Sequence, residues 1–200
     1  MTNRIVVGIC GASGSIYGIR LLKALLSQPR EVHLIISEAG KLVLAHELGF
    51  KESTPFEQFL QKEGVQFHEG AKFIRHAPEN LLADLASGSF KHQGMAIVPC
   101  SMKTVAAVAS GYATNLMERT ADVCLKEKRP LILVPRETPL NKIHLKNMMK
   151  AHNAGAIIMP PAPGFYFHPE AINDLVDFIV ARILDQLHIR HNIIGEWGSD

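Results

Sequence analysis

Residues 8–18 read "GICGASGSIYG", and the fold turns on how they are read. They close the apolar run "RIVVGIC" (4–10) and open a stretch with apolar residues at helical spacing. A glycine-rich turn between a buried strand and a helix brings free N–H groups and the positive end of the helix dipole to one edge. Such an edge suits a phosphate or a flat ring. The glycines fall at Gly8, Gly11 and Gly14, three and three apart. The dinucleotide fingerprint spaces them two and then three apart. Ser13 and Ser15 add hydroxyls that a purely close-packed strand–helix junction does not need. The turn is either such a junction or a cradle for a ligand.

Outward from this turn, short β-branched runs alternate with helical patterns. Strands are expected at 4–10, 32–36, 95–100, 130–135 and 156–161, with 72–74 as a sixth. Helices are expected near 15–27, 39–48, 79–86, 102–110, 116–128, 141–153 and 169–187, and the poorly patterned segment 50–75 as surface loop. Near-continuous apolar strands are covered on both faces. The alternation predicts a single-domain α/β fold: a Rossmann-like (flavodoxin-like) doubly wound parallel sheet in three layers, α/β/α. The domain is expected over 1–187, followed by a tail at 188–200.

Composition narrows the classes. The chain has 200 residues, 47% hydrophobic and 20% charged, enough apolar matter for one sizeable core. Its 21 basic and 19 acidic residues include no basic block, which argues against nucleic acid. The first apolar run has no cleavage-site pattern, and no run reaches the roughly 20 residues that span a bilayer. Cys10, Cys100 and Cys124 are odd in number and far apart, which reads as reduced thiols of a cytoplasmic protein.

Ligands of doubly wound sheets bind outside the carboxyl ends of the strands. Here those ends carry "GASGS", "SEAG", "SMKT", "RETP" and "PAPGFY". Five polar turns on one edge point to a phosphorylated ligand. Ser101 and Thr104 open a helix, where capping and anion binding use the same amides. Cys100, at a strand end, reads as inert core. Glu47 falls between Val43 and Leu44 on an apolar helix face, so it either meets a structural partner or lines the site. Arg119, Asp122 and Lys126 form one helical stripe, in the bland reading a solvated ion-pair network. Arg136 suits a phosphate or ring carbonyl, and the adjacent Glu137 suits proton transfer. Arg182 either snorkels to water or reaches toward Tyr166. His188 and His191 lack a third ligand of suitable spacing, and no metal is expected.

The segments "GASGS", "SEAGKLVLAHE", "ASGSF", "VPCSMKT", "ERTADVCLKEKRPLILVPRETPL", "HLKNMM" and "GAIIMPPAPGFY" together resemble the flavin prenyltransferases, the UbiX/phenylacrylic acid decarboxylase-associated family. The resemblance runs to about residue 187, and "LKEKRPLILVPRETPL" is its most specific block. It implies a homododecameric flavoprotein without a metal. Such a protein joins the dimethylallyl group of dimethylallyl monophosphate to N5 and C6 of reduced FMN, and hands prenylated FMN to a UbiD-type decarboxylase. It assigns FMN contacts to Gly11, Ala12, Ser13, Ser37, Ser101, Met102, Lys103, Thr104 and Arg136. Ser87, Gly88, Tyr166, Arg182 and Lys126 (the last from a neighbouring subunit) are assigned to the prenyl phosphate. Ser13, Glu47, Arg119 and Glu137 are placed at the chemistry, with Trp197 near it. Lys103 stands where glycine is common in the family, though lysine is also familiar there.

The chemistry is consistent with these assignments. An allylic phosphate ionises if its departing dianion is neutralised, a task for Arg182, Lys126 and Tyr166. Protons leave during bond formation, and Glu137, relayed through Ser13 or the phosphate, is the candidate base. Rival readings are an FMN-dependent cysteine decarboxylase of the same fold group and a non-catalytic flavin carrier. An NAD oxidoreductase is disfavoured by the glycine spacing.

Overall fold

The computed structural model describes residues 3–195. Its single sheet has six parallel strands: β1 (Arg4–Ile9), β2 (Glu31–Ile36), β3 (Lys72–His76), β4 (Met95–Cys100), β5 (Leu131–Pro135) and β6 (Ile157–Ile158). The order is β3-β2-β1-β4-β5-β6, with Val7 opposite Leu34 on one side and Ala96 on the other. The chain winds outward from β1 to β3, then returns to the other side of β1 and winds the opposite way. The switch point therefore lies between β1 and β4.

The helices are α1 (Ser15–Leu26), α2 (Glu38–Leu48), α3 (Phe56–Lys62), α4 (Met102–Ser110), α5 (Leu116–Lys126), α6 (Lys142–Asn153) and α7 (Ile172–Gln186). Alternate strand residues feed two cores, as the two-residue period of a strand requires. Ile5, Val7, Ile9, Leu34, Ile36 and Val134 pack with α1, α3 and α7. Val6, Cys10, Ile35, Ile97 and Leu133 pack with α4, α5 and α6. α1 forms because Ile19, Leu22, Leu25 and Leu26 repeat at helical spacing and are all buried. Among the described residues no helix is long and apolar enough to cross a membrane.

Three expected elements differ. The segment expected as surface loop folds into α3 and an aromatic knot in which Phe50, Phe56 and Phe59 are buried with ring centroids 5.2–5.5 Å apart. Helix 79–86 reduces to a single 3-10 turn, Asp84–Ala86. Asn80 competes for the backbone there, accepting from the Leu82 N–H, and Leu85 anchors the stretch instead. The last strand is two residues long because Pro160 and Pro161 have no N–H for a ladder.

His92 is 5% exposed beside the sheet. Its Nδ1 donates to the Gly94 carbonyl, and its Nε2 has no hydrogen-bond partner among the described residues. Burial, with Arg129 and His33 nearby, holds its pKa down at about 4 against an ordinary 6.5, although the Gly94 carbonyl works the other way. Above pH 6.5 the ring is neutral folded or unfolded. Below it, the unfolded chain binds a proton that the folded ring refuses. The native state is expected to lose about 3 kcal/mol through this group between pH 6.5 and 4. Denaturant titrations across that range should show a shallower loss in His92→Gln, which keeps a donor but cannot charge. Parallel curves would exclude the assignment.

Candidate active site

The turns after β1 and β4 face each other across the switch point. The first turn approaches α2 very closely: a Cβ on Gly11 would lie 2.4 Å from that of Ala39, and one on Gly40 would lie 2.6 Å from the Ile9 carbonyl. Both positions must be glycine for α2 to start there. Ser37 caps α2 by accepting from the Gly40 N–H at 3.0 Å, and Ser101 caps α4 by accepting from the Thr104 N–H at 3.3 Å. Two helix N-termini, each enriched in free amides, thus open on one cleft of about 430 Å³. Gly11, Ser37, Ser101, Lys103 and Thr104 line it, as do Glu38, Ala39, Pro78, Glu79, Asn115 and Met117. Ala12 and Met102 of the same turns are buried. The volume and the donor set of hydroxyls, amides and an ammonium suit a phosphorylated planar ligand such as FMN.

At the start of α1 the geometry differs from expectation. Glu47 is exposed; it does not lie on a buried face. Its carboxylate accepts from the Gly14 N–H at 3.1 Å and the Ser15 N–H at 2.8 Å, on a turn where Gly14 takes φ 102°. Burial pushes its pKa up, but the Ser13 hydroxyl and these amides outweigh that and hold it below the usual carboxylate range. The carboxylate therefore serves as the anion at the α1 N-terminus. Arg136 joins the same turn, its Nε donating to the Ser13 carbonyl at 3.3 Å. Glu137 is exposed beside it and accepts from the Thr138 N–H at 3.2 Å.

The remaining expected residues form two further groups. Ser87, Gly88, Arg119 and Lys126 gather where the 3-10 turn crosses α5. Arg119 donates to the Ala86 carbonyl at 3.1 Å and pairs with Asp122. Lys126 pairs with Glu127, and both side chains lie against Gly88, where a Cβ would meet the Lys126 Nζ at 2.6 Å. The predicted charged stripe is thus only partly realised: Arg119 and Asp122 meet, while Lys126 turns to its neighbour. Tyr166 and Arg182 belong to the last loop and α7. The Tyr166 ring packs edge-on to Phe178 at 5.9 Å, and Arg182, exposed, pairs with Asp185 at 3.2 Å. His188 is exposed, while His191 binds Asp185 at 3.1 Å. Trp197 lies outside the described residues.

Beneath the cleft, Cys10 Sγ lies 3.2 Å from Thr104 Oγ1. The Cys100 thiol and the Thr104 hydroxyl hold Cys10 down at about 7 despite burial, whereas burial and the neighbouring sulfur push Cys100 well up. A fully buried thiol with a raised pKa is no nucleophile, which matches the core reading of Cys100.

The sequence reading missed Asn115, Met117, Pro78 and Glu79 on the cleft wall and Glu118 behind it. The N-x-x-E pattern of Asn115 and Glu118 signals a helix start, and Asn115 does accept from the Glu118 N–H at 3.0 Å. Nothing local signals that the carboxylate itself crosses to Lys103.

The family model described as Flavoprotein matches residues 1–184. The flavin prenyltransferase UbiX of Pseudomonas aeruginosa is 48% identical over 199 residues, spanning 98% of this chain and 94% of that protein. The crystal structure of AnUbiX (PadA1) in complex with FMN and dimethylallyl pyrophosphate matches with a TM-score of 0.88 at 40% identity, covering 100% of this chain and 99% of that one. A dodecameric FMN-dependent UbiX-like decarboxylase from Escherichia coli O157:H7 matches at 0.86 and 40% identity, over 98% of this chain and 100% of that one. Relatedness of that degree along essentially both full lengths means that the chain belongs to the UbiX family of flavin prenyltransferases.

Proposed function

We propose that the protein transfers the dimethylallyl group of dimethylallyl monophosphate to N5 and C6 of reduced FMN. It works as a homododecamer in the cytoplasm and supplies prenylated FMN to a UbiD-type decarboxylase. The observation that carries this reading is the switch-point cleft, with its two capped helix N-termini, in a chain 48% identical to a flavin prenyltransferase. The three free, buried thiols suit a reducing compartment.

Bound reduced flavin supplies the nucleophile; the protein supplies placement, charge and proton movement. Ser37, Ser101, Thr104 and the amides beside them hold the flavin. Glu47 and Arg136 brace the Ser13 turn from two sides, the first through its amides and the second through its carbonyl. Glu137 follows a fully buried strand, so a rigid element carries it, and it accepts the proton released as the new bonds form. Arg182, Tyr166 and Lys126 neutralise the departing phosphate. Lys126 ends α5, about 16 Å along the helix from cleft-lining Asn115. That distance supports its service to a neighbouring subunit's site.

Anaerobic incubation with reduced FMN and dimethylallyl monophosphate, read by mass spectrometry, should show the flavin gaining one five-carbon unit. Turnover with the diphosphate alone would correct the donor. Flavin of unchanged mass with either donor would favour a carrier or a thiol-oxidising decarboxylase.

Glu137→Gln is expected to keep FMN affinity and fold while turnover falls about 100- to 10,000-fold. A wild-type rate would remove the proton role and shift it to Glu47.

If Lys126 acts across subunits, Lys126→Ala and Glu137→Gln should each be nearly inactive alone. Oligomers reassembled from a mixture of the two should regain activity, because some sites then draw both intact residues from different chains. No regain on mixing would place Lys126 in its own subunit's site.

A further inference from the structure

Lys103 occupies the first turn of α4 and lines the cleft, with a side chain 70% exposed. A cation there stands at the positive end of the helix dipole, where electrostatics disfavour it. What holds it is Glu118, whose side chain is only 2% exposed and whose Oε1 receives the Lys103 ammonium. The other oxygen accepts from the Thr114 N–H and Oγ1, both at 2.8 Å. Burial alone would push this carboxyl's pKa up; Lys103 and Thr114 more than offset it, and it stays charged. The carboxylate is buried and bonded at both oxygens, and the lysine that it holds lines the cleft with a largely exposed side chain. An ammonium has three N–H groups, so two remain for a ligand. An ion pair serving only to tie α4 to α5 has no need of an exposed cation on the cleft lining.

We propose that Glu118 is a positioning residue: it fixes the Lys103 ammonium on the cleft wall, and Lys103 receives the phosphate of FMN. This rests on FMN occupying that cleft. The pair is neutral as a unit, so it adds orientation without adding net charge. Its positive end reinforces the amides of the two helix N-termini already turned to the same space.

The test compares FMN with riboflavin, which lacks the phosphate, by flavin-fluorescence titration of the purified protein. Lys103→Ala is expected to weaken FMN about 10-fold and riboflavin less than about twofold. Glu118→Gln should weaken FMN in the same selective way, and adding it to Lys103→Ala should cost little more, since the two act through one contact. Lys103→Arg should restore most of the FMN affinity. Should Glu118→Gln fail to fold, Glu118→Asp, which keeps the charge but shortens the reach, is expected to give a smaller loss confined to FMN. Equal losses for both flavins, additive losses in the double variant, or unchanged FMN affinity in Lys103→Ala would each overturn the proposal. If wild-type protein binds neither flavin, the FMN site itself is overturned. If it binds both but does not prenylate, only the transferase reading falls.

Discussion

Everything at the site depends on how closely α2 approaches the end of β1. With hydrogen in place of a side chain at Gly11 and Gly40, the two turns interlock: added Cβ atoms would lie 2.4 Å from Ala39 and 2.6 Å from the Ile9 carbonyl. No real side chain tolerates such distances without moving backbone. The approach brings Ser37 beside Gly11 and completes one wall of the cleft. β4 and α4 form the opposite wall, displaced from the first because the winding reverses between β1 and β4. The cleft is thus a consequence of strand order and two missing side chains. The polar residues on it add chemistry to a shape already set.

The charges around it follow a common arrangement. Three carboxylates near the turns, Glu47, Glu118 and Glu38, each have a partner, while Glu79 also lines the cleft. Glu47 is held by the amides of α1, Glu118 by Lys103 and Thr114, and Glu38 by Lys41 at 2.6 Å. Glu47 and Glu118 both stay below the usual carboxylate range even though burial opposes it. For both, hydrogen bonding to the charged form outweighs desolvation. Glu47 also occupies the amides at the α1 N-terminus, whereas α2 and α4 open on the cleft.

The protomer alone gathers the expected residues in three places. Most of the residues assigned to FMN lie on or beside one cleft, whereas the groups assigned to the prenyl phosphate divide between the α5 face and the α7 loop. Lys126 and Arg182 each lean on an acid of their own helix, Glu127 and Asp185. Such exposed neighbour pairs contribute little and exchange partners readily. Cations held this loosely can take another anionic partner at little cost.

The strand–turn–helix at 4–26, the two-sided apolar strands and the polar turns at their ends were legible in the sequence because each is a short-range pattern. Periodicity reports which faces are buried, and glycine and serine report where the backbone turns toward a ligand. The seven quoted segments carried the family for the same reason. Beyond that reach, only the tertiary structure decides. Phe56, Phe59 and Leu60 carry a helical spacing too brief to stand out, and the aromatic knot gives it meaning. The 79–86 stretch has helical composition, yet Asn80 and the surface of α5 hold it open. Glu47 looked like a buried residue of α2 because helical phase says which neighbours share a face. It does not reveal whether another element covers that face, and here the amides of α1, 32 and 33 residues away, claim the carboxylate. Glu118 and Lys103 are 15 residues apart on different helices, so their meeting depends on how α4 and α5 pack, a long-range geometry that no local pattern encodes.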